Sequence, residues 1–122
     1  MIARFENALD SKGSIVDALL AALPHDAESR RDWNVWRVFS DRASRSNELR
    51  TQYRVSTDAW LDAAVGALAA HHGSSTPNIR TRGEIIVHTA NAIGDEASVD
   101  PSSWPVKRQR ELLERALEAF GS

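Results

Sequence analysis

Histidine, serine, aspartate and tryptophan are the residues here with chemistry to offer, and their spacing decides what each can do. His71 and His72 would be the first two ligands of a metal site. Adjacent residues at a helix end point apart, however, and no Asp, Glu or third His stands at ligand spacing, so the pair reads as part of a solvated loop. His25, between Pro24 and Asp26, reads as an exposed turn residue. The serines fall at caps and in loops without a His or acid at triad spacing, there is no Gly-rich phosphate loop, and Asp62 is a single carboxylate on an apolar helix. The pattern argues against an enzyme and calls for no metal or cofactor. His88 and Asn91 differ, because they interrupt an apolar helix on a side that faces inward. A satisfied core hydrogen bond is the first reading for each, and contact with a bound ligand the second.

Trp33, Trp36, Phe39, Tyr53 and Trp60 have the ring faces to stack on bases, but stacking platforms come with a basic track along the backbone path. Here Arg30, Arg31, Arg37, Arg42, Arg45, Arg50 and Arg54 alternate with Glu28, Asp32, Asp41 and Glu48, which describes a solvated, salt-bridged face. Core packing accounts for most of the aromatics. Some also wall a cavity, since helical domains place ligands between helices. The expected site lies between the Trp33 to Phe39 helix and the Tyr53 to Trp60 segment, with His88 and Asn91 approaching from the other side. It suits a small apolar or aromatic molecule.

The elements that must position these residues are helices. Ile2, Phe5 and Leu9 recur at helical spacing in a short amphipathic piece that looks like the end of a longer helix. After Lys12-Gly13, Ser14 and Asp17 have the spacing of a capping box leading into Ala18, Leu19, Leu20 and Leu23, and Pro24 ends that run. Asp26 caps the next helix, along which Trp33, Trp36, Phe39 and Ala43 fall on one side. Ser46 caps a long helix with Glu48 in its first turn, and from Ala59 to Ala70 that helix is apolar almost all round. His71 to Ser75 reads as a loop with Gly73 as the C-terminal cap, and Thr76-Pro77 as the restart of a helix that runs to about Asp95. Glu96 to Ser103 is a polar connection, and from Pro105 a last helix puts Leu112, Leu113, Ala116, Leu117 and Phe120 on one side, with Glu111 and Arg115 spaced to pair. The sum is one all-α domain over residues 1–122, a bundle of five or six helices.

Two of these helices carry apolar residues on more sides than one small core covers. A homodimer is therefore expected through Ala63, Ala67 and Leu68 on one and Gly83, Ile86, Ala90 and Ile93 on the other, with Gly66 and Gly83 letting backbones approach. The formal net charge of −2 gives no bulk attraction for polyanions. The chain lacks cysteine, has no apolar run long enough to span a bilayer, and lacks a signal-peptide pattern at its start, so the expectation is a cytoplasmic protein with no membrane partner.

Arg-Arg-x-Trp-x-Val-Trp-x-x-Phe from Arg30 to Phe39, followed by a long helix with a midway Trp60 and an Ala-rich end, resembles the C-terminal domain of TetR-type transcriptional regulators of the BetI-like branch. Asp100-Pro101, Trp104-Pro105 and Arg108-Gln109-Arg110-Glu111-Leu112-Leu113 look like that branch's final turn and helix, and Leu19 to Pro24 like its earlier Leu-rich helix. The resemblance implies an effector-binding and dimerisation domain in which a small molecule enters the helical core and changes the separation of two DNA readers across a dimer. It also implies that the helix-turn-helix belongs before residues 1–10, which look like the remnant of a preceding helix, so DNA is reached only through a missing N-terminal half. The alternative is a helical protein-interaction module without a ligand, either a heterodimer partner of full-length regulators or an unrelated, antitoxin-like binder.

Overall fold

The computed structural model describes residues 2–73 and 76–119, and the secondary structure of these residues is helical throughout, with no strand among them. The helices are α1 (Ile2–Asp10), α2 (Ile15–Ala22), α3 (Ala27–Ala43), α4 (Asn47–His72), α5 (Ile79–Val99) and α6 (Val106–Glu118), with a single 3-10 turn over Pro101–Ser103 before α6. None is long and apolar enough to cross a membrane. Phe120, expected on the apolar side of the last helix, and Ser74 and Ser75, expected in a loop, lie outside the described residues.

Helix ends follow local side-chain chemistry. Helix α1 closes with Lys12 left-handed at φ 64, its N–H bonded to the Leu9 carbonyl and the Gly13 N–H to the Ala8 carbonyl. This pair of bonds is a Schellman motif, with lysine where glycine is usual. Ser14 and Asp17 form a full capping box at α2, and Asp26 and Ser29 form one at α3. At α4 the Ser46 hydroxyl accepts the Leu49 N–H at 3.3 Å.

Three boundaries differ from the sequence reading. Helix α4 continues through His71 and His72, and Gly73 at φ 95 stops it. Helix α5 starts at Ile79, because Thr76 donates its hydroxyl backwards to the His72 and Gly73 carbonyls and so closes α4 instead of opening α5. It also runs on to Val99, since Ala97 is buried and holds the polar stretch in the helix.

Helix α5 is the spine of the core, burying Gly83, Ile86, Val87, Ala90, Ile93, Gly94 and Ala97 against its neighbours. Of the residues expected at a dimer interface, Leu68, Gly83, Ile86, Ala90 and Ile93 are buried within the chain and Ala63 and Ala67 are partly covered. The close backbone approach at Gly83 is real but internal, because a Cβ there would come within 2.6 Å of Val65 Cγ2 on α4. Gly66 has nothing within 4 Å of a built Cβ.

Polar ties hold the layers in register. Arg4 on α1 pairs with Asp32 and with Glu28 at 3.3 Å on α3, and its guanidinium holds the Asp32 carboxyl below the usual carboxylate range. Arg110 on α6 pairs with Asp17 on α2 at 2.9 Å. Buried Gln109 donates from Nε2 to the carbonyls of Pro24 at 3.0 Å and Trp104 at 2.9 Å, pinning the end of α2 to the entry of α6. Arg115 pairs with Glu118 at 3.3 Å and not with Glu111.

Candidate functional site

Helix α3 brings Trp36 and Phe39 to one face three residues apart, and α4 brings Tyr53, Ser56, Thr57 and Trp60 to the face opposite, at the three- and four-residue steps that align side chains on a helix. Trp36 stacks on Tyr53 with ring centroids 5.5 Å apart and planes 16° apart, and Phe39 closes the group at 5.5 Å from Trp36 and 6.4 Å from Tyr53. Two turns further along α4, Trp60 is buried and meets Phe5 of α1 edge-on at 5.1 Å. Its indole N–H donates to Asn91 Oδ1 of α5 at 3.3 Å.

Between these two groups lies a cleft of about 210 Å³, lined by Ile2, Trp36, Ser56, Thr57, Trp60 and Asn91. Two indoles and an isoleucine give it apolar walls, while two hydroxyls and an amide offer directional contacts. A larger groove of about 440 Å³ runs between α4 and α5 on the other side of Trp60 and Asn91, and its walls include Tyr53, Arg54, Asp58, Arg80, Glu84 and His88. Arg80 of this lining is paired with Asp62 of α4 at 3.1 Å.

The seven ligand residues nominated from sequence are thus distributed over four places. Trp36, Trp60 and Asn91 line the cleft. Tyr53 and the exposed His88 face the outer groove, with Trp60 and Asn91 shared between the two spaces. Phe39 supports Trp36 and Tyr53 without being part of the cleft lining. Trp33 is in the core, 1% exposed, donating its indole N–H to Asp95 at 3.0 Å and lying against Gly94. Ile2 lines the cleft and Phe5 is wholly buried, so α1 partly fills the space without closing it. Ser56 and Thr57 were missed, although they stand four and three residues before Trp60 and share its face. Among the described residues no group of three or more His, Asp or Glu could hold a metal ion.

No protein-family model matches the chain, and no curated protein matches it. Among solved structures it is similar to a crystal structure of a transcriptional regulator from Rhodococcus sp. Rha1, with a TM-score of 0.75, 24% identity, and coverage of 97% of this chain and 75% of that one. The chain has the helical fold of a regulator.

Proposed function

We propose that this chain is the ligand-sensing and dimerisation domain of a TetR-like transcriptional regulator. The observation that carries the reading is the cleft walled by Trp36 and Trp60, with Ser56, Thr57 and Asn91 as its polar points, in a fold shared with a transcriptional regulator. A small, mainly apolar molecule entering there would press on α3, α4 and α5 together, and such a displacement is what a regulator passes to its DNA readers. DNA contact is assigned elsewhere: α1 and α2 are joined by a tight turn, but α2 is buried from Ala18 to Leu20 and offers no helix to a groove.

Dimerisation in this reading uses the outer faces of α5 and α6. Ile85, Ala92 and Val99 recur every seven residues along α5 and are exposed, and Val106 and Leu112 are exposed on the neighbouring α6. A two-fold pairing of these helices would cover all five. The same stripe would serve the second reading, a protein-interaction module with no ligand, and ligand binding separates the two. The test is tryptophan fluorescence during a screen of small aromatic and aliphatic compounds, repeated on Trp36→Ala. Saturable changes weakened by the substitution support the sensor. A flat response from every compound removes it in favour of the interaction module.

A further inference from the structure

The cleft and the outer groove are neighbours that share three side chains, Thr57, Trp60 and Asn91. The polar link in that partition is the Trp60 to Asn91 hydrogen bond, and at 3.3 Å it lies beyond the usual range for N–H···O. Asn91 uses only its carbonyl oxygen in it. The amide N–H groups of this half-buried residue make no hydrogen bond to the described residues, so two donors stand ready at the boundary.

The two spaces differ in character. Trp36, Trp60 and Ile2 make the inner one apolar. The outer one alternates in sign at four-residue steps along both walls, Arg54 then Asp58 on α4 and Arg80 then Glu84 on α5. Mixed-sign walls attract neither a cation nor an anion strongly, whereas neutral groups that accept hydrogen bonds find donors at Asn91 and Tyr53.

We propose that the two spaces are compartments of one ligand site partitioned by Trp60 and Asn91, and that its ligand is a neutral amphiphile with an apolar body in the inner cleft and an oxygen acceptor hydrogen-bonded to the Asn91 amide. This deepens the ligand-sensing reading and rests on it. An acceptor held by the Asn91 amide N–H groups leaves Oδ1 on the Trp60 indole and polarises that bond through the shared amide, so occupancy of the outer compartment is transmitted to the indole that Phe5 supports from α1.

The experiment compares matched compounds on the intact chain by tryptophan fluorescence: butylbenzene, benzylacetone, phenylbutyrate and phenylbutylamine. Benzylacetone should bind roughly fivefold tighter than butylbenzene, the worth of one neutral hydrogen bond, and tighter than either charged compound. In Asn91→Leu, checked for helicity by circular dichroism, that preference should vanish while butylbenzene binding persists. The ranking on the unsubstituted chain decides the matter if the variant fails to fold. Equal binding of butylbenzene and benzylacetone overturns the two-compartment site and leaves the ligand-sensing reading standing, as does tightest binding by a charged compound. No response to any of the compounds overturns both.

Discussion

Trp33 and Gly94 are in such close contact that a methyl group on Gly94 would lie 2.2 Å from Cζ2 of the indole ring. Helix α3 therefore crosses α5 where a side chain is missing, and the buried indole takes its place. Substituting Gly94→Ala gains about 1 kcal/mol of helix propensity but forces the largest core side chain to move, at a cost of up to about 3 kcal/mol or more. The expected net loss is roughly 2 kcal/mol. Gly66, mid-helix and with open space around it, gives the opposite sign: Gly66→Ala should stabilise by about 0.5 to 1 kcal/mol. Urea midpoints of the two variants should fall on either side of the unsubstituted chain.

Gln109 is buried, with both amide hydrogens committed to the Pro24 and Trp104 carbonyls and its own Oε1 without a partner. Gln109→Leu removes that orphaned acceptor but strands two carbonyls, and the second effect is larger. A loss of about 2 kcal/mol is expected. Equilibrium unfolding in urea measures it, and a neutral result would show that water replaces the pin.

Four carboxyls are held below their ordinary range. Asp32 is lowered mainly by the Arg4 hydrogen bond, Asp17 by Arg110 and then the Ser14 N–H, Asp26 by the Ser29 N–H and hydroxyl, and Asp100 by the Ser103 and Ser102 hydroxyls. A lowered folded value means that the unfolded chain takes up protons first as pH falls. The stabilisation is complete above the unfolded carboxylate value of about 4 and is lost below it as pH falls through the folded values. Stability from these four groups should be level between neutral pH and about pH 5, then decline. All four are exposed enough for salt to screen them, so the decline should be shallow. Urea midpoints across pH, repeated on Asp32→Asn, would check both the window and its sign.

Glutamate substitutions separate the inner and outer faces of the α4 to α6 layer. Val99→Glu and Leu112→Glu fall on exposed positions and should turn a dimer into a folded monomer in light scattering, with helicity retained. Leu68→Glu and Ile86→Glu bury a carboxylate within the chain itself and should cost several kcal/mol, enough to unfold a small domain. Unsubstituted chain that is monomeric at high micromolar concentration would rule out the proposed dimer.

The caps at Ser14, Asp26 and Ser46 were legible in the sequence because a capping side chain answers backbone groups within three residues. The start of α5 was not, since Thr76 has the right chemistry for either of two helices and only the three-dimensional path assigns it to α4. For the site, the period of α3 and α4 was enough to put Trp36 opposite Tyr53 and Trp60. It could not tell Trp33 from Trp36, because the partner that draws Trp33 into the core is Asp95, which is 62 residues away. Likewise, which side of α5 is covered depends on where α3, α4 and α6 lie against it, and an apolar stripe wider than one face holds no record of that choice.

Asn91 and Asp95, one turn apart on α5, each receive one indole N–H, from Trp60 at the cleft and Trp33 in the core. The indole groups of Trp36 and Trp104 have no such acceptor among the described residues. The indole region of a proton–nitrogen correlation spectrum should therefore divide into two slowly exchanging signals and two fast ones. The slow pair find their acceptors on the same helix, yet only Trp60 touches the cleft. The molecule thus contains a reporter of ligand entry and, one helical turn away, its own internal standard for distinguishing occupancy from unfolding.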